Sequence, residues 1–113
     1  MRRTTSWAIV PIVSALSLAA GSNSATAQTL SPAATRGLTF VRVHCGQCHA
    51  ISKVGESPVA EAPPFRTLHL RYPVDSLEEA LTEGIVTGHP SMPEFQLDPG
   101  QARDVIDYMK SLE

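Results

Sequence analysis

Only two cysteines occur in 113 residues. A structural zinc site takes four protein ligands, and the downstream histidines, His69 and His89, do not follow the cysteines at finger spacing. Basic residues are not in surplus: nine Lys plus Arg stand against eleven Asp plus Glu. That removes the positive patch that nucleic acid or an anionic lipid surface requires. Long apolar runs are missing too. The longest stretch, residues 7–20, is interrupted by Pro11 and several serines and is shorter than the ~20 residues of a membrane-spanning helix. There is no internal repeat, no low-complexity segment, no convincing strand pattern, and no constellation that marks a general base or substrate site.

The amino terminus has the order of an export signal. Arg2 and Arg3 precede the apolar stretch, and Ala25-Thr26-Ala27 supplies the small residues of a cleavage site. Residues 1–27 are therefore expected to be a signal peptide and residues 28–113 the mature domain, with an uncleaved membrane anchor as the alternative. The mature part keeps seven Lys plus Arg and eleven Asp plus Glu, a net charge of −4 with His neutral. A single domain this small has little core of its own and commonly needs a staple.

Both cysteines fall in Cys45-Gly46-Gln47-Cys48-His49, a C-x-x-C-H pattern that reads as covalent attachment of a c-type haem. Thiols three positions apart on one helical turn point the same way, so each can add to one vinyl group of the same porphyrin. His49 then lies beside the ring, and a proximal His is a standard haem-iron ligand. Three other readings compete. A thioredoxin-like dithiol needs a βαβ context that is missing here. Zinc lacks ligands. A disulfide across two intervening residues closes a loop too small to constrain much.

In chain order, Ser31-Pro32 reads as N-cap and first position of a helix over about 32–43. Ala34, Leu38, Val41 and Cys45 form its apolar stripe. Residues 50–73 carry Ser57-Pro58, Pro63-Pro64 and Tyr72-Pro73, and each Pro disfavours helix in the residue before it. A long loop with one short helical turn at about 65–69 is expected, walling one haem face. Ser76-Leu77-Glu78-Glu79 has the form of a capping box and starts a second helix ending at Gly84. A loop at 85–97 follows. Asp98-Pro99-Gly100-Gln101 opens the last helix, with Ala102, Val105, Ile106, Met109 and Leu112 as its stripe.

A low-spin haem iron takes a second axial ligand, and Met92 is the strongest candidate. It stands between Pro90 and Pro93 in an irregular loop, and Pro93 biases it to extended backbone. His89 on the same loop competes, and Met109 belongs to the last helix's stripe. His44 should leave the helix in another direction from His49, and His69 lies in the wall loop. A ligating His needs a partner for its second nitrogen, and the Pro63-Pro64 segment can offer a carbonyl. Arg66, Arg71 and Tyr72 are candidate donors to the haem propionates.

With these residues in view, the mature chain resembles a small monohaem cytochrome c of the class with an N-terminal attachment motif and a distal Met. Cys45, Cys48 and His49 match the attachment pair and proximal ligand, and Met92-Pro93 matches the distal loop. Gly37 and Phe40 match the glycine and aromatic of the first helix, and Tyr108 matches the aromatic of the last. The resemblance implies an all-α cytochrome c fold, three main helices with long loops wrapped around one covalently bound haem. It implies that Pro64 accepts from His49 through its carbonyl. Two departures stand out: Ala62-Pro63-Pro64-Phe65-Arg66 is not the glycine-proline form of many members, and the mature chain has no Trp to serve a propionate.

The function implied is a periplasmic single-electron carrier rather than an enzyme, with haem c and its iron as cofactor. Its partners would be redox proteins, with no nucleic acid and no stable membrane insertion, as a monomer or a subunit of a redox complex. The alternatives are a haem enzyme or gas sensor with a labile sixth ligand, and a haem-free C-x-x-C disulfide oxidoreductase.

Overall fold

The structure, a computed structural model, describes residues 27–84 and 91–113. The expected signal segment up to residue 26, and His89, lie outside the described residues. Among the described residues three α-helices carry the fold: α1 (Pro32–His44), α2 (Leu77–Glu83) and α3 (Pro99–Lys110). Short 3₁₀ helices at Phe65–Leu70 and Val74–Ser76 interrupt the connection from α1 to α2. No strand occurs among the described residues, so the all-α expectation holds. None of the described helices is long and apolar enough to cross a membrane.

Two of the helix starts follow from their capping residues. Ser31 is extended, and its Oγ accepts from the Ala34 N–H at 3.0 Å, while Pro32, lacking an N–H, needs no acceptor. Asp98 is likewise extended, and its Oδ1 accepts from the N–H groups of Gly100 and Gln101. Each cap satisfies donors that the first helical turn leaves open.

The start of α2 differs from the expected capping box. Ser76 sits at φ −64°, ψ −15° and makes no side-chain cap bond. The reason lies upstream. Pro73 starts a 3₁₀ turn over Val74–Ser76 that runs directly into α2, so Ser76 is already helical and cannot take the extended backbone of a cap. The helix ends as expected at Gly84, whose φ of +102° suits a residue without Cβ.

The core forms where α1 crosses α3. Ala34 and Val41 of α1 meet Ala102, Val105, Ile106, Tyr108 and Met109 of α3, with Phe65, Leu68, Val74, Leu97 and Leu112 closing around them. The crossing is close because Gly37 has no side chain. A Cβ placed there would lie 1.9 Å from the Asp104 carbonyl oxygen and 3.0 Å from the Tyr108 Cβ. Beside it, Arg36 Nε and Nη2 donate to the two carboxylate oxygens of Asp104, both at 2.7 Å. This bidentate contact holds the Asp104 carboxyl below its usual range.

Candidate functional site

α1 ends in the C-x-x-C-H motif, and the backbone stays coiled through it. Cys45 N–H donates to the Val41 carbonyl, and the N–H groups of Cys48 and His49 both donate to the Cys45 carbonyl at 3.1 and 3.0 Å. That coil places Cys45, Cys48 and His49 on the wall of one cavity. The long loop contributes Val59, Pro63, Phe65 and Leu68 to the lining, α2 contributes Leu77 and Leu81, and α3 contributes Val105 and Met109. Met92, Pro93, Phe95 and Leu97 complete it from the last loop. Four of the five expected site residues, Cys45, Cys48, His49 and Met92, therefore meet in one largely apolar cavity.

Pro64 is the exception, and the expectation that its carbonyl accepts from His49 is corrected. His49 Nδ1–H donates instead to the Pro63 carbonyl at 2.8 Å. Pro64 is the N-cap of the 3₁₀ helix Phe65–Leu70, and its carbonyl takes both the Thr67 N–H at 3.0 Å and the Thr67 hydroxyl at 2.8 Å. An oxygen committed to the following helical turn points along that helix, so the preceding carbonyl faces the imidazole. Phe65, buried, packs against the His49 ring with centroids 5.1 Å apart. Donation from Nδ1 fixes the tautomer and leaves the Nε2 lone pair free for a metal.

The distal loop is tied to α2. Leu97 N–H donates to the Leu81 carbonyl at 2.8 Å, and Gln96 Nε2 donates to the Glu83 carbonyl at 3.3 Å. Met92 is half-buried on the cavity wall. Met109 is buried on the α3 stripe, as its spacing requires.

The two thiols are not bonded to each other. Burial, with a smaller contribution from Cys48, pushes the Cys45 thiol up to about 11. Of the expected propionate donors, only Tyr72 lines the cavity. Arg66 turns to the Ser52 carbonyl at 3.5 Å, and Arg71 is exposed away from the cavity lining. His69 is exposed as well.

One group of cavity residues was not expected together. His44 stacks on Phe40 with centroids 4.3 Å apart and meets the edge of Phe95 at 6.3 Å. All three line the cavity that His49 also lines. Phe40 and His44 are four apart on α1 and so share a face, which is the signal that links them. Phe95 is far away in sequence, and only the fold brings it in.

The residue set suits a haem. Two thiols stand ready for two vinyl groups, an oriented imidazole and a thioether offer iron ligands, and the apolar walls match a porphyrin face. Comparison with known proteins agrees. The family model for cytochrome c matches residues 34–113. Cytochrome c-552 of Bradyrhizobium diazoefficiens is 31% identical over 97 residues, covering 86% of this chain and 89% of that protein. No solved structure matches. From its motif, its helical fold and these relations, the chain belongs to the cytochrome c family and is a haem electron carrier with covalently bound haem c.

Proposed function

We propose that this cytochrome is a periplasmic single-electron carrier whose haem is attached through Cys45 and Cys48 and whose iron is held by His49 and Met92. The supporting observation is the His49 ring. Its Nδ1–H bond to Pro63 leaves Nε2 as the donor atom, in the cavity that also holds both thiols and Met92. When bound, the haem supplies one-electron chemistry through the ferric and ferrous states of its iron.

The chain's own residues define how that chemistry is used. The Pro63 carbonyl raises the basicity of His49 by accepting a hydrogen bond from Nδ1–H. The thioether of Met92 favours the ferrous state and raises the potential. The apolar walls built by Phe65, Leu68, Leu81 and Val105 exclude water from the porphyrin face. Electrons would pass through the haem edge to and from protein partners. Residues 1–27 act as the export signal in this reading, and 28–113 as the cytochrome domain.

Two alternatives fare less well. A haem enzyme or gas sensor needs a labile sixth position, and Met92 on the cavity wall is suited to fill it. A haem-free disulfide oxidoreductase needs a thiolate of lowered pKa, whereas burial pushes Cys45 the opposite way.

The test is expression of the full chain with a haem-attachment system, followed by absorption spectra before and after denaturing extraction. Sharp c-type bands that stay with the polypeptide, with the weak far-red band of a ferric Met-ligated haem, support the proposal. Covalent haem without that band, together with tight carbon monoxide binding by the ferrous form, favours the sensor or enzyme. A colourless protein with a reducible Cys45–Cys48 bond overturns the haem assignment at these residues.

A further inference from the structure

The backbone on both sides of His49 is clamped by one short segment, residues 57–59. On one side the Val59 N–H donates to the Cys48 carbonyl at 3.1 Å. On the other, the Ala50 N–H donates to the Ser57 hydroxyl at 2.9 Å. Ala50 is buried, at 7% exposure, and a buried backbone N–H is normally paired. The Ala50 carbonyl is also taken, by the Phe65 N–H at 2.9 Å. The loop between His49 and Phe65 is therefore closed at its base, and that closure sets Pro63 opposite the imidazole.

Of these ties, two are backbone to backbone and survive any side chain. Ser57 is the only side chain among them. The half-buried serine precedes Pro58, which confines its backbone to extended geometry and so presents the hydroxyl without a helix or strand to hold it. Nothing in C-x-x-C-H calls for a serine nine positions after Cys48.

We propose that Ser57 is a positioning residue for the proximal ligand: its bond to the Ala50 N–H holds the His49 Nδ1–H···Pro63 contact at full strength and thereby sets the reduction potential. The inference rests on His49 being the iron ligand. Its sign follows from ligand basicity. A strong Nδ1–H···O=C bond makes the imidazole a better electron donor, which favours ferric iron and lowers the potential. Without Ser57 the loop base loosens, the contact with Pro63 lengthens, and the ligand donates less.

The experiment compares Ser57→Ala and Ser57→Thr with the native holoprotein by potentiometric titration, the ferric far-red band and thermal unfolding. The expected result is a higher potential in Ser57→Ala, with covalent haem and the far-red band retained, and return towards the native value in Ser57→Thr, whose hydroxyl can accept the same bond. A native potential in Ser57→Ala, with or without lowered thermal stability, overturns the proposal and leaves Ser57 a loop-fold residue. Should Ser57→Ala not accumulate, the Ala50 amide in native protein decides: slow hydrogen exchange supports the clamp, and fast exchange overturns it. Absence of covalent haem in the native chain would refute the underlying functional reading instead.

Discussion

Replacing Gly37 by Ala should destabilise the protein, although the same change in an exposed helix would stabilise it. An added Cβ would lie 1.9 Å from the Asp104 carbonyl oxygen, and ordinary contact begins at 3.4 Å. The facing backbones must therefore separate by about 1.5 Å. Neither side can yield locally, because the obstructing atom is backbone in the middle of α3. Separation loosens the packing of Ala34 and Val41 against Ala102 and Val105. Overpacking of this kind costs ~1–3 kcal/mol or more, and a rigid obstacle puts Gly37→Ala at the upper end. Helix propensity returns about 1 kcal/mol. The net loss is then about 2 kcal/mol, which for a domain of this size lowers Tm by roughly 8–16 °C. Circular dichroism of the ferric holoprotein during thermal or urea unfolding reads it. Equal or higher stability in Gly37→Ala would mean that α1 and α3 do not cross at this residue.

Other outcomes follow from the same contacts. Tyr108→Phe removes the hydroxyl that donates to the Ile51 carbonyl at 2.5 Å and should cost about 1 kcal/mol in urea titration, with the visible spectrum unchanged; an altered spectrum would contradict a purely structural tie. Asp98→Ala removes the cap of α3 and should cost about 1 kcal/mol by the same titration. Arg36 holds the Asp104 carboxyl low, chiefly through its hydrogen bonds. A depressed folded pKa contributes stability above the unfolded value near ~3.9 and loses it as pH falls through the folded value. Acid unfolding curves below about pH 4 should therefore be steeper in the native protein than in Asp104→Asn, and equal slopes would refute the assignment.

Much of the architecture was legible because it rests on local chemistry. Ser31-Pro32 and Asp98-Pro99 each combine a cap acceptor with a residue that has no N–H to satisfy, and the helices start there. The C-x-x-C-H motif marked three cavity residues, and Met92-Pro93 marked a fourth. The failures came where two local signals compete. Ser76 and Glu79 spell a capping box, but Pro73 three residues earlier starts the coil first. Two successive prolines offer two carbonyls, and the 3₁₀ helix beyond them decides which one faces His49. The Ser57–Ala50 bond and the Phe95–His44 contact join residues that no periodicity connects. They were invisible until the loops were placed.

The central proposal is that Met92, on the wall of the cavity that His49 also lines, would serve with His49 as a ligand to the haem iron. Proton NMR of the ferrous holoprotein tests it most directly, because a methyl group held over a porphyrin face is strongly shielded by the ring current. Ligation by Met92 should give a three-proton signal far upfield of the protein envelope that disappears in Met92→Ala. No such signal in the native protein, or one that persists in Met92→Ala, would contradict it.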